Sequence, residues 1–358
     1  MAPFSRTRPV VAAALFGALT FGAAGALAQQ TINLTMAASH PTTFLPVGVM
    51  AGYFKNEVDR ILAEGGKYRI NWKEAYAGTL YKLQDTMEAV RDGITDIGFV
   101  GSVWETDTMP LSNVSYFAPF VTGDMNVVMR SVDKMVRETP ALRKEWESNN
   151  LQYLGAIGLE TYHLWTRTPV LKFEDLRGKR YNAPGAALQW LRNTGAVGVD
   201  GGLPVYYTNV QTGVVDGAIS FYTGILPIRL HEVAPHITEA DIGAQFAGGV
   251  AITLERFRKL PPEVQAALVR AGNGYTTELI AQTMNRIESS RKAMLDAGAK
   301  IVKLPDAERQ KWAQALPDVA GEWAKTLEAK GLPAREVLRQ FMAEARKAGA
   351  KPLRDWDK

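Results

Sequence analysis

The segment "HEVAPH" (231–236) comes nearest to a metal-binding helix in this chain. Its two histidines are five residues apart, whereas the H-E-x-x-H zinc motif needs four to bring both onto one helical face, and Pro235 breaks the helix between them. No metal is expected there. Cysteine is absent, which removes thiolate nucleophiles, thiolate metal sites and disulfides together. The G-x-S-x-G elbow of serine hydrolases does not occur. "GAVGVDGG" (195–202) spaces its glycines neither as a dinucleotide loop nor as a P-loop. His40 and His163 each stand without a nucleophile or a second ligand nearby in sequence. The chain thus reads as a binding protein rather than an enzyme, with no cofactor.

Binding chemistry is more visible. "EDLRGKRYNAPG" (174–185) is a charged turn feeding a short strand, 178–182, that ends at Pro184. A strand cut off in this way exposes its last side chain at the edge of a sheet. That side chain is Asn182, an amide able both to donate and to accept.

The elements that must position these residues follow from periodicity. Residues 31–38 and 68–75 alternate as strands, 47–62 and 83–90 carry apolar residues at helical spacing, and 96–100 is a short buried strand. This is a βαβαβ rhythm, which calls for a mostly parallel sheet with helices on its faces. A second group of strands begins at 151–157 and 162–166. It continues through 178–182, a helix at 184–194, a helix at 205–212 and a strand at 215–220. "VRDGITDI" (90–97) and "VQTGVVDG" (210–217) share the frame V-x-x-G-[I/V]-x-D. Each reads as a helix end, a left-handed glycine and the start of a buried strand. The frame fits either a common type of junction or two domains of like construction facing one cleft. After a strand at 247–251 the chain turns helical. Residues 262–297 form one very long helix or two stacked ones, 299–304 is a strand, and 306–329 and 333–348 are charged amphipathic helices.

Residues 1–28 read as a signal peptide: Arg6 and Arg8, an apolar run from Val10 to Phe21, and Ala26-Leu27-Ala28 as the cleavage site. Export to the periplasm is expected. The apolar run is too short to span a bilayer, and no later stretch is long enough, so the mature chain is not expected to be membrane-embedded. The mature chain, 29–358, is long enough for about two domains. Its formal charge falls from +4 to +2, because residues 1–28 hold two arginines and no acid. That balance, with no basic run interleaved with aromatics, argues against nucleic acid as a partner.

"ASHP" (38–41), "AGTLY" (77–81), "VRDGITDIGFV" (90–100), "FEDLRGKRYNAP" (173–184) and "VYYTNVQTGVVDG" (205–217) follow one another in an order that resembles the DctP-like solute-binding proteins of TRAP transporters. The resemblance covers essentially the whole mature length. It implies an α/β, two-domain periplasmic-binding-protein-like fold with crossing strands and a long bracing helix. Domain I would hold 29–157 and 247–262, domain II 158–246, and 263–358 would supply the bracing helix and the C-terminal helices. It also implies a small organic solute bound in the interdomain cleft by domain closure, and delivery to TRAP membrane permease subunits.

At the solute site the sequence departs from its relatives. The arginine that ends the D-L-K-G-x-K-x-R-x-P turn, and pairs with a substrate carboxylate, is Asn182 here. Further arginines of some relatives correspond to Glu160 and Trp104, and the V-D-G-x-E-x-P segment becomes "VDGAISF" (215–221), with Ser220 at a usually polar position. His40, Tyr81, Tyr162, Tyr207 and Phe221 lie on or beside the same loops, as do Tyr206 and Gly201-Gly202-Leu203. The expected solute is therefore a small amine, zwitterion or neutral hydroxylated compound, held by aromatic faces and a carboxylate. The alternatives are a carboxylate gripped by Arg167 or by backbone amides, a binding protein coupled to a membrane sensor, and an enzyme on the same architecture.

Overall fold

The computed structural model describes residues 1–2 and 29–358, so the signal-peptide reading lies outside the described residues. The strands, in chain order, are β1 (Gln30–Ala37), β2 (Tyr68–Ala75), β3 (Ile97–Val100), β4 (Leu151–Leu159), β5 (His163–Thr166), β6 (Arg180–Ala183), β7 (Val197–Asp200), β8 (Gly217–Ser220), β9 (His236–Glu239), β10 (Gln245–Thr253) and β11 (Lys300–Lys303). They form two sheets, ordered β2-β1-β3-β10-β4 and β11-β9-β5-β8-β6-β7. The β1–β2, β1–β3, β6–β7 and β6–β8 pairs are parallel, as the βαβ rhythm requires.

The repeated V-x-x-G-[I/V]-x-D frame is one junction used twice. Gly93 and Gly213 both adopt the left-handed conformation, at φ 74° and 76°, and lead into β3 and β8. The aspartate that follows does the same work in each sheet. Asp96 Oδ2 accepts from the Thr35 N–H of neighbouring β1 at 2.7 Å, and Asp216 Oδ2 accepts from the Arg180 N–H of neighbouring β6 at 2.8 Å. Each carboxylate thereby satisfies an N–H that its sheet leaves free.

The chain passes between the sheets at 160–162 and at 240–244, and the two passages are bonded to each other. The Ile242 N–H donates to the Tyr162 carbonyl at 3.0 Å, and the Tyr162 N–H donates to the Gly243 carbonyl at 3.2 Å. Asp241 accepts from the Thr161 hydroxyl at 2.6 Å and from Arg309 Nη2 at 2.9 Å, so a C-terminal helix, Asp306–Ala315, also holds this junction.

One helix, Pro262–Asp296, runs unbroken for 35 residues. Gly272 and Gly274, which look like weak points, are places of closest approach. A methyl at Gly272 would overlap the Leu154 carbonyl of β4, and one at Gly274 would overlap the Tyr53 hydroxyl. Beside them the Thr276 hydroxyl accepts from the Ala156 N–H at 2.9 Å, and Tyr275 donates to the Pro46 carbonyl at 2.9 Å. Farther along, Arg291 pairs with Glu239 of β9 at 2.8 Å, so the helix is fixed to both sheets. The chain then returns as β11 to the edge of the second sheet, parallel to β9. Residues 306–329, read as one helix, are two, Asp306–Ala315 and Val319–Glu328, separated at Leu316-Pro317 because proline cannot continue the first.

Candidate functional site

Each sheet sends the carboxyl ends of its parallel strands toward the other, which is where α/β folds place their ligands. His40 and Phe44 follow β1, Phe99 belongs to β3, and Val103 and Trp104 lie in the turn after it; Ile157, Leu159 and Ala247 come from β4 and β10. Opposite them, Pro184 follows β6, Gly202, Leu203 and Tyr206 open the helix Leu203–Gln211, Ser220 ends β8 and Phe221 follows it. Tyr162, from the passage between the sheets, completes the lining.

Together these residues line a partly open chamber of about 30 Å³ between the sheets. That is room for little more than a water molecule. The walls are rings. His40 lies 4.7 Å from Phe44, 5.5 Å from Phe99 and 6.3 Å from Trp104 between ring centres, and on the far side Tyr162 meets Phe221 edge-on at 5.3 Å.

The polar groups of this lining are few and mostly occupied. Tyr162 and Tyr116 share a hydroxyl–hydroxyl bond of 3.2 Å, and the Tyr206 hydroxyl donates to the Gly201 carbonyl at 3.0 Å. The His40 imidazole sits 3.1 Å from the Ser39 hydroxyl, and burial lowers its pKa to about 4, which keeps it neutral near pH 7. The indole N–H of Trp104 is buried and makes no hydrogen bond. Among the described residues no lysine, arginine, aspartate or glutamate lines the chamber.

His40, Trp104, Tyr162, Ser220 and Phe221 thus meet around one space, and the remaining candidates sit elsewhere. Asn182 is fully buried beside it, with its amide committed: Nδ2 donates to the Val199 carbonyl at 3.1 Å, and Oδ1 accepts from Asn209 Nδ2 at 3.1 Å. Tyr81 is buried under the first sheet and donates to the Ala37 carbonyl at 2.8 Å. Tyr207 is half-buried, and its neighbour Tyr206 lines the chamber instead. Glu160, only 2% exposed, stands between two lining residues, Leu159 and Tyr162. Its Oε1 accepts from the Thr223 N–H at 2.6 Å, its Oε2 has no partner, and burial raises its pKa to about 7. Arg167 is exposed and does not line the chamber. Arg180 is also exposed, with Nη2 donating to the Gly213 carbonyl at 2.7 Å.

Phe44 and Phe99 are lining residues that local sequence does not mark, because each has the pattern of an ordinary core position, whereas Leu203 lines the chamber as its place in the segment 201–203 suggests. A second hollow, of about 500 Å³, adjoins Trp104. Gln84, Glu105, Phe117, Gln189 and Asp200 contribute to it, and Trp104 and Gly202 line both spaces.

The family model for bacterial extracellular solute-binding protein, family 7 (DctP), matches residues 45–326. The chain belongs to this family. Members of family 7, like the chains of similar structure, are binding proteins rather than enzymes. A solute-binding protein of Sulfitobacter sp. strain NAS-14.1 is 26% identical over 170 residues, 45% of this chain and 51% of that one, so the chain spans about half the length of that relative. The C4-dicarboxylate-binding periplasmic protein DctP of Shewanella loihica is 24% identical over 78% of this chain and 81% of its own. A TRAP solute-binding protein of Rhodoferax ferrireducens, solved with copurified benzoate, superimposes with a TM-score of 0.79 at 19% identity, covering 88% of this chain and 98% of that one. The two-sheet α/β architecture with its long helix is the family 7 fold. No helix among the described residues is long and apolar enough to cross a membrane.

Proposed function

We propose that this family 7 protein is the periplasmic receptor of a TRAP-type transporter, which closes around a compact solute and hands it to membrane permease subunits. The units that move are 29–157 with 247–262 as one lobe and 158–246 as the other, with 263–358 bracing both. The solute is a small amine, zwitterion or neutral hydroxylated compound with an apolar body.

One observation carries this reading: no cationic side chain stands among the lining residues, and the one histidine there is held neutral by burial. A carboxylate taken from water into such a chamber would lack a countercharge, at a cost of several kcal/mol. An ammonium group or a neutral solute meets aromatic faces instead, and a cation over such a face gains roughly 0.5–2 kcal/mol. A second reading, a compact apolar carboxylate, is favoured by the benzoate copurified with the Rhodoferax relative. It would rest on the free Trp104 N–H and on backbone amides.

The test is thermal stabilisation of residues 29–358, stripped of carried ligand by partial unfolding, against small amines, neutral hydroxylated compounds and carboxylates. A ligand at one hundred times its Kd stabilises by about 2.7 kcal/mol. Shifts from amines or neutral compounds support the leading reading, and shifts from carboxylates alone overturn it.

A further inference from the structure

Trp104 and Gly202 are the residues common to the inner chamber and the outer hollow. The indole is held from the first lobe. A methyl at Gly101 would overlap its six-membered ring, and Phe99 meets it edge-on at 6.4 Å between ring centres. From the second lobe Gly202 lies against it, and a β-carbon there would stand 3.4 Å from Trp104 Cζ2. The two spaces that share it differ in size and chemistry: about 30 Å³ with apolar and aromatic walls, against about 500 Å³ with Glu105, Asp200, Gln84 and Gln189.

We infer that Trp104 is the size-determining wall of the solute site, dividing one interlobe space in two and confining the solute to the apolar side. The inference rests on the solute reading above and adds the limit on solute length. A solute longer than the chamber would have to displace the indole, at the expense of its contacts with Phe99 and Gly202. With the indole gone, the space continues into the outer hollow, where Glu105 and Asp200 would meet a cationic end. Trp104 acts here as a steric boundary. Its unpartnered N–H is a separate property, which a phenylalanine would remove while leaving most of the wall.

The experiment uses a ladder of probes with one head group: benzylamine, 2-phenylethylamine, 3-phenylpropylamine and 4-phenylbutylamine, with the corresponding alcohols. Affinities are measured by calorimetry on the parent, Trp104→Ala and Trp104→Phe. The parent is expected to favour the shortest members and to lose at least ten-fold by the longest. Trp104→Ala should move the optimum toward the longer members, and Trp104→Phe should keep the parent's length limit. An equal loss at every length in Trp104→Ala overturns the wall. Indole provides a check independent of the solute's identity: it should raise the melting temperature of Trp104→Gly and leave the parent unchanged. Absence of that rescue overturns the partition. If the parent binds no amine or alcohol while indole rescues Trp104→Gly, the solute reading fails and the partition stands.

Discussion

The Thr223 N–H donates to Glu160 Oε1 across 2.6 Å, joining the passage between the two sheets to the first turn of the helix Tyr222–Ile228. The other carboxyl oxygen is buried without a partner, and burial raises the Glu160 pKa from 4.5 to about 7. In that window the folded chain keeps a proton that the unfolded chain has released. Stability from this group therefore falls as pH rises from about 4.5 to about 7 and is level above it, with a ceiling on the order of 3 kcal/mol. Glu160→Gln keeps an acceptor for Thr223 and removes the titration. Melting curves between pH 4 and 9 should show the variant gaining on the parent as pH rises; parallel profiles would contradict this.

Asn182 bridges the Val199 carbonyl and the Asn209 amide, just ahead of the Gly202–Leu203 wall of the chamber. Asn182→Ala should cost about 1–3 kcal/mol of stability, and its coupling to Asn209→Ala in a double-mutant cycle should be about 1 kcal/mol. Unchanged stability with abolished solute binding would instead make Asn182 a direct solute contact.

A methyl at Gly185 would overlap the Val103 carbonyl on the opposite side of the cleft. Gly185→Ala should thus hinder the closed arrangement. Solute affinity is expected to drop at least ten-fold, about 1.4 kcal/mol. Small-angle scattering should show no compaction on adding solute, and because Gly185 holds a positive φ of 24° the alanine should also cost the solute-free protein about 1 kcal/mol. Parental affinity would mean that closure does not use this contact.

Gly272 touches β4 backbone to backbone. Alanine is worth about 1 kcal/mol more than glycine in a helix, yet Gly272→Ala should lose about 2–3 kcal/mol because the Leu154 carbonyl must move. Gly52, with open space around it, is the control, and its alanine variant should be neutral or stabilised. Chemical denaturation of the pair decides between them.

Much of the fold could be read because its signals are local. The V-x-x-G-[I/V]-x-D frame, the stop at Pro184 and the apolar spacing of 262–297 each describe a few neighbouring residues, and each corresponds to an element. The helices Met125–Glu138 and Pro140–Ser148 also carry start signals, Asp124 capping the Asn126 N–H and Pro140 in the first turn, but no candidate chemistry draws attention to them. The site was harder to read because its lining is assembled from both sheets, and a phenylalanine facing another lobe looks like a phenylalanine facing its own. Asn182 illustrates the limit. It shares a strand face with Arg180, whose guanidinium reaches out to the Gly213 carbonyl. That face meets the helix carrying Asn209, and the chamber wall begins at Pro184.

The order of strands also has a consequence for how the chain is made. β10 lies between β3 and β4 in the first sheet, and β11 forms the edge of the second. Neither sheet can be finished until a strand from well beyond its other members has been synthesised, so the two halves cannot fold one after the other as the ribosome delivers them. Contacts this distant in sequence make for slow folding. Until β10 and β11 are made, β3 and β4 lack the strand that joins them and β9 keeps an open edge.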